Sequence, residues 1–224
     1  MWLDAGNSRS FIKENIWHDL SGNGNDFYLY NSPTISEKYV SFNGINQYAK
    51  SINKLDLSKY DSITVEAYFE ITDSNNISIL FEHTSSWNNN MGGFGLALNN
   101  NGYSLAQNLF HTNHTSQSGR NYFKVSDKKF NTHTNIFSKI QKTDGRLVYF
   151  NAEPLEFTSD GGYDTSTQTN ANGQFTNDYM YIASRGGEGI FFKGNLVGLR
   201  IYGKALSQEE IGKNYELDKR NLNI

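Results

Sequence analysis

The sequence predicts an all-β fold: a sandwich of two antiparallel sheets in a single domain, residues 1–224, with one short helix near the C-terminus. Three observations predict it. Short runs alternate apolar and polar residues at period two, clusters rich in Asn and Gly separate those runs, and one stretch carries well-formed helix start signals. Gly numbers 20 and Pro only 2, while aromatic residues make up 14 % of the chain. Asn, dense at 88–90 and 99–101, tolerates the left-handed backbone of tight turns. A chain of 224 residues can bury one sizeable core.

The strands expected first are 26–30, 39–42 and 47–51. Alternation is clearest in "SITVEAYFEI", 62–71. There Ile63, Val65, Ala67, Phe69 and Ile71 point to the core, and Thr64, Glu66, Tyr68 and Glu70 point the other way. Strands at 77–83, 94–98 and 103–110 follow, the last two divided by the turn signal "NNNG" at 99–102. Next come 122–125, 134–141 and 146–151, with "TDG" at 143–145 between the last pair. Residues 158–176, rich in Ser, Thr, Asn and Gly, read as a long surface loop. Strands at 179–183 and 189–202 complete the sheets. In "ALSQEEIGKNYE", Ser207 is a natural N-cap and Glu210 completes a capping box, while Leu206 can meet Ile211 as a hydrophobic staple. Gly212 weakens the middle of this helix, so it needs contacts with the sandwich.

Composition narrows the function. The net charge is -3 with Lys and Arg spread along the chain, which leaves no footprint for nucleic acid or an anionic membrane. No apolar run approaches the roughly 20 residues needed to span a bilayer. The first ten residues lack the basic-then-apolar pattern of a signal peptide. The absence of cysteine excludes disulfides and thiol chemistry and suits a reducing cytoplasm.

Three groups of residues carry candidate chemistry. In "WHDLSGNGNDFYLYN", Asp19, Ser21, Asn23 and Asn25 place side-chain oxygens at every second position, with Gly24 at the sixth. That spacing suits a calcium loop, with Asp19, Asn23 and Asn25 as ligands. It equally suits a Gly/Asn turn held by side-chain-to-backbone bonds, because the twelfth position is Tyr30 rather than Glu. Glycan recognition needs aromatic faces and amide or guanidinium groups on loops. Trp87 with Asn88, Asn89 and Asn90 supplies these, as do Tyr163 beside Gly161 and Gly162 and Arg185 before Gly186 and Gly187. Trp87 equally suits a cap on the core, and the Asn run a solvated loop. Catalysis is poorly supported. Glu66 and Glu70 share a strand face about 13 Å apart, whereas a retaining glycosidase needs about 5–5.5 Å. His111 and His114 form a weak metal pattern, and no nucleophile or phosphate-loop motif is present.

Several motifs together resemble one family. They are Trp17, Asp19, Ser21, Gly22 and Gly24; Phe42-Asn43-Gly44 leading to Tyr48; the strand 64–68; and the closing run from Phe192 through Ala205-Leu206-Ser207 to Glu210. Their order and spacing resemble the laminin-G-like branch of the concanavalin A-like lectin/glucanase superfamily. The resemblance implies a jelly-roll sandwich and a binding role, although that superfamily includes lectins, glycosidases and adhesion modules alike. The opening "WLDAGNSRS" is also similar to laminin-G-like domains of tailed-phage structural proteins. One departure stands out: where the family's closing strand often carries an acidic residue, this chain has Val197 and Gly198.

The expected function is a non-catalytic carbohydrate-binding or adhesion module of a phage virion or a microbial surface assembly. Its partners are a glycan or other virion or surface proteins, with self-association supplying avidity. The expected location is the phage particle, assembled in the host cytoplasm, or else a microbial cell surface. The rival is a purely structural module, a capsid decoration or fibre subunit, that binds protein alone.

Overall fold

The structure, a computed structural model, describes residues 1–73, 76–84, 93–98, 105–111, 118–124, 130–138, 148–154 and 175–222. Its strands begin with β1 (Trp2–Asp4), β2 (Ile16–Trp17), β3 (Phe27–Tyr30), β4 (Thr34–Ile35) and β5 (Val40–Asn43). Then come β6 (Tyr48–Ser51), β7 (Leu55–Asp56), β8 (Ser62–Ile71), β9 (Ser78–His83) and β10 (Phe94–Leu98). Next are β11 (Leu105–His111), β12 (Ser118–Lys124), β13 (Asn131–Ser138), β14 (Val148–Phe150) and β15 (Glu153–Pro154). The last strands are β16 (Asn177–Asp178), β17 (Met180–Ile182) and β18 (Lys193–Tyr202), before the helix α1 (Gln208–Leu222).

Two eight-stranded antiparallel sheets form the sandwich. The first runs β15-β14-β13-β8-β18-β5-β4, with β1 also paired to β18; the second runs β12-β11-β10-β9-β17-β6-β3-β2. At the centre of the first, β8 and β18 pair along ten-residue strands, with Phe69 opposite Leu196 and Val65 opposite Ile201. The register shifts between Leu196 and Gly198. Below that bulge β18 pairs with β5, and above it with β1. A Cβ at Gly198 would lie 2.8 Å from the Leu3 carbonyl oxygen, so the close approach of β1 needs a glycine there. The position without the family's acidic residue is therefore spent on packing one backbone against another.

Ile63, Val65, Ala67 and Phe69 are fully buried in the main core, and Ile71 packs against it, as alternation predicts. Across from them lie Phe27, Leu29, Phe81, Phe94 and Ile182 of the second sheet. The expectation that Thr64, Glu66 and Tyr68 turn away from the core holds, but they do not reach solvent: they are 0 %, 3 % and 5 % exposed. The reason is α1, which lies over this outer face. Leu206 and Ile211 form a small core with Ile136 and Tyr149, joined by Tyr202. Burying each aliphatic side chain contributes roughly 1.5–3 kcal/mol.

The helix begins as its sequence signals predict. The Glu210 N–H donates to Ser207 Oγ at 3.2 Å, and the Ser207 N–H donates to Glu210 Oε2 at 2.9 Å. Its far end is tied down by Arg200, whose Nη1 donates to Asp218 Oδ2 at 3.0 Å while Nη2 donates to Oδ1. No helix among the described residues is long and apolar enough to cross a membrane.

Two further expectations need correcting. Phe175 falls within the predicted surface loop, yet it is 2 % exposed and meets Phe94 edge-on at 6.1 Å. The strand expected over 189–202 begins only at Lys193, because Ile190 takes a left-handed backbone (φ 50°) after the Arg185–Gly189 bridge. Strands of two or three residues, such as β1, β4 and β7, were not legible because so short a run has no period.

Candidate functional site

The opening turn is built around one carboxylate. Asp19 Oδ1 accepts the N–H groups of Trp2 at 2.8 Å and Ser21 at 3.0 Å; Oδ2 accepts the N–H and Nδ2 of Asn25 at 3.1 and 3.0 Å. Burial alone would raise the Asp19 pKa, but these donors outweigh it and hold the group below the usual carboxylate range. Asn23 is exposed and donates its Nδ2 to Ser21 Oγ at 2.8 Å. Asp26 accepts the Asp19 N–H at 2.8 Å. Calcium needs several oxygen lone pairs converging on one point. Here the Asp19 lone pairs are turned to N–H donors and Asn25 presents its amide nitrogen, so Asp19, Asn23 and Asn25 do not fit the ion in this arrangement. Among the described residues, no three His, Cys, Asp or Glu side chains are grouped to hold a metal.

A richer surface lies on the outer face of the second sheet. The inward positions of β3, β6 and β17 are apolar (Phe27, Leu29, Ala49, Met180 and Ile182), so their neighbours face outward. Strand pairing lines these up in a rank: Tyr28 opposite Lys50, Lys50 opposite Tyr181, and Tyr181 opposite Glu82. A second rank sets Tyr30 opposite Tyr48, with the rings stacked at 4.5 Å and an interplanar angle of 4°. Tyr28 meets Tyr30 edge-on at 4.9 Å and is 41 % exposed. Lys50 Nζ sits 4.1 Å from the Tyr179 ring centre and 5.4 Å from that of Tyr181, within cation–π range.

The loop 183–190 closes one end of this face. Ala183, Gly186, Gly187 and Ile190 all have left-handed backbones, uncommon for a β-branched residue such as Ile190. A Cβ at Gly187 would come within 3.0 Å of the Tyr48 ring, so glycine lets the loop rest on the tyrosine row. Beneath the loop Glu82, 1 % exposed, accepts the Gly186 N–H through Oε1 at 2.6 Å. Arg185 Nε stands 3.7 Å from Glu82 Oε2. Burial pushes the Glu82 carboxyl up to about 7, against the opposing pull of Arg185 and the Gly186 N–H.

Of the glycan-contact residues expected from sequence, Arg185 stands beside this face. Trp87, Asn88, Asn89 and Tyr163 lie outside the described residues. Sequence reasoning missed Tyr28, Tyr30, Tyr48, Lys50, Tyr181 and Glu82. Tyr28 and Tyr30 did carry a signal, two tyrosines on the outward parity of "FYLY"; Glu82, a single charge in an apolar run, carried none. On the other sheet Glu66 and Glu70 are separated by Tyr68. Glu66 lies beneath α1, where Asn214 Nδ2 donates to its Oε2 at 2.9 Å, and Glu70 accepts Asn195 Nδ2 at 2.7 Å.

A family profile of laminin G type, described as the concanavalin A-like lectin/glucanases superfamily, matches residues 43–212. The chain belongs to this superfamily. No curated protein matches it. Among solved structures, the laminin-G-like domain is similar to the binding domain of botulinum neurotoxin DC in complex with rat synaptotagmin II. That match has 11 % identity and a TM-score of 0.66, covering 97 % of this chain and 51 % of the other. It is also similar to the ligand binding domain of botulinum neurotoxin serotype D in complex with N-acetylneuraminic acid. There the identity is 15 % and the TM-score 0.65, over 96 % of this chain and 50 % of that one. A third likeness is to Trypanosoma rangeli sialidase in complex with 2,3-difluorosialic acid, at 14 % identity and TM-score 0.64, over 96 % of this chain and 32 % of the sialidase. At these identities the likeness is one of fold. The laminin-G-like chain spans about half the length of the neurotoxin chains it matches.

Two measurements check this geometry. Asp19→Ala strands four N–H donors and should cost roughly 2–4 kcal/mol of stability; the wild-type melting temperature should be the same in chelator and in saturating calcium. A calcium-dependent rise lost in Asp19→Ala would instead make Asp19 a ligand. Glu82 has the opposite linkage. Its folded pKa lies above its ordinary value of 4.5, so between about pH 4.5 and 7 the folded state holds the extra proton. Stability from this group is greatest below that window and falls, by about 3 kcal/mol at most, as pH rises through it. Chemical denaturation across that range should show the slope in the wild type and a flatter one in Glu82→Gln.

Proposed function

We propose that this laminin-G-like domain is a non-catalytic glycan-binding module and that the glycan lies along the tyrosine face of the second sheet. The observation that carries the reading is the pair of outward ranks, Tyr28–Lys50–Tyr181–Glu82 and Tyr30–Tyr48, with Arg185 at one end. Tyrosine rings offer faces to sugar C–H groups, and ammonium and guanidinium groups donate to hydroxyls or a carboxylate. Two structures of the same fold hold sialic acids by name, N-acetylneuraminic acid and 2,3-difluorosialic acid. An acidic sugar with its carboxylate toward Lys50 and Arg185 is the ligand class that this combination supports. Contact along an open face gives weak affinity per site, which several copies raise through avidity. The setting in a phage particle assembled in the host cytoplasm, or else on a microbial surface, rests on the resemblance of residues 2–10 to phage structural domains.

A protein-binding structural module is the second reading. What favours it is the neurotoxin DC binding domain of the same fold, solved with the protein synaptotagmin II. A glycan array with the pure protein separates the two. The glycan reading expects binding to sialylated glycans, weakened roughly five- to tenfold by Tyr28→Ala with no change in melting temperature, because Tyr28 is 41 % exposed. An array without any hit would leave the protein-binding reading in its place.

A further inference from the structure

The chain carries Asn-Gly steps at 23–24, 43–44, 101–102 and 172–173, and the structure describes the first two. Such a step is chemically reactive because glycine has no Cβ to shield its own nitrogen. That nitrogen can approach Cγ, the carbonyl carbon of the asparagine side chain. In a folded protein the approach depends on the hydrogen bonds that hold the side chain and on the freedom of the glycine. The two described steps differ in both.

Asn43 is held at both ends of its amide. Its Oδ1 accepts the N–H groups of Ile45 at 2.8 Å, Asn46 at 3.2 Å and Gln47 at 3.4 Å, and its Nδ2 donates to Asn46 Oδ1 at 3.1 Å. Gly44 is only partly exposed, and a Cβ there would lie 2.7 Å from Lys193 Cβ. Those four bonds must break, and packed neighbours must shift, before Asn43 Cγ meets the Gly44 nitrogen. Asn23 and Gly24 are both exposed. The Asn23 side chain makes one bond, Nδ2 donating to the exposed Ser21 Oγ at 2.8 Å. Among the described residues, its Oδ1 accepts no donor and the Gly24 N–H meets no acceptor. Beyond the chain neighbours of Gly24, nothing lies within 4 Å of where its Cβ would stand.

We infer that Asn23 is a self-modification site of the folded protein, where attack by the Gly24 nitrogen turns the side-chain amide into a carboxylate, and that the fold protects Asn43 from the same reaction. Solvent base takes the Gly24 N–H proton as the nitrogen attacks Asn23 Cγ. The new C–N bond forms, the Cγ–Nδ2 bond breaks, and Nδ2 leaves as ammonia with a proton from water. The product is a cyclic succinimide, which water then opens. Breaking its Cγ–N bond leaves aspartate, and breaking the bond to the main-chain carbonyl carbon leaves isoaspartate. In sum, an amide and a water become a carboxylate and ammonium. The turn survives the change, because Asp19 anchors it through Trp2, Ser21 and Asn25 and not through Asn23. Ser21 Oγ, now an acceptor, is a hydroxyl that can donate to the new carboxylate instead.

The test is incubation of the intact protein in warm, mildly alkaline buffer, followed by peptide mapping with mass spectrometry that separates aspartate from isoaspartate. No glycan is present, so the result does not depend on glycan binding. Conversion at Asn23 should outpace conversion at Asn43 about tenfold or more, since the attack at Asn43 must first break the bonds that hold it. In denaturant neither side chain is held, and the two steps should convert at similar rates, which assigns the difference to the fold. Gly24→Ala restores the shielding Cβ and should slow conversion at Asn23 several-fold. The inference is overturned if Asn23 stays intact in the folded protein while it converts in denaturant. Conversion at Asn43 as fast as at Asn23 in the folded protein would overturn it as well.

Discussion

The pairing of β8 with β18 is the constraint on which the rest of the molecule depends. It fixes the parity of both strands at once, sending Val65, Phe69, Leu196 and Ile201 into the sandwich. Glu66, Arg200 and Tyr202 are thereby sent to the other side. The bulge in β18 then lets one strand serve two partners, β5 below and β1 above. Because β1 passes so close to Gly198, the N-terminal segment is fastened to the middle of the sheet rather than left at its edge. Asp19 completes that attachment by holding the Trp2 N–H.

That same pairing creates a polar outer face which would be poor at holding a helix by apolar contact alone. Two devices hold α1 there. At its start, the capping box and the cluster of Leu206, Ile211, Ile136 and Tyr149 supply order and burial. Toward its end, Arg200 ties Asp218 to the sheet. A buried ion pair of this kind contributes little net stability, because desolvation offsets the attraction, but removing one partner is costly. Its consequence is positional: it fixes the far half of the helix over Glu66 and leaves a cavity beside it. Among the described residues no helix covers the second sheet, and Tyr28 stands 41 % exposed there while Tyr181 is buried at 7 %. One sandwich thus presents two chemically different faces, an aromatic open one and an acidic recessed one.

What could be read from the sequence follows from how local each signal is. Runs of four or more alternating residues located the longer strands, and Ser207 and Glu210 located the start of α1, because both signals lie within one turn or one strand. Period two also told which residues of β8 share a face. It could not tell what covers that face, so the burial of Glu66 and Tyr68 was not legible. The tyrosine ranks depend on register between strands far apart in sequence: Lys50 meets Tyr181 only once β6 and β17 have paired. Arg185 was singled out from its two glycines, a local cue to a loop, and it stands beside the tyrosine face. Asp19 read equally as calcium ligand or turn anchor, since spacing alone does not reveal which way a carboxylate's lone pairs face.

The central claim is that the open tyrosine face, rather than any other part of the sandwich, receives the ligand. Amide and aromatic chemical-shift mapping with an oligosaccharide containing N-acetylneuraminic acid tests it most directly. The account predicts saturable shifts concentrated at Tyr28, Tyr30, Tyr48, Lys50, Tyr181 and Arg185, with the first sheet and α1 unmoved. Shifts confined to the first sheet, or none at all under saturating glycan, would contradict it.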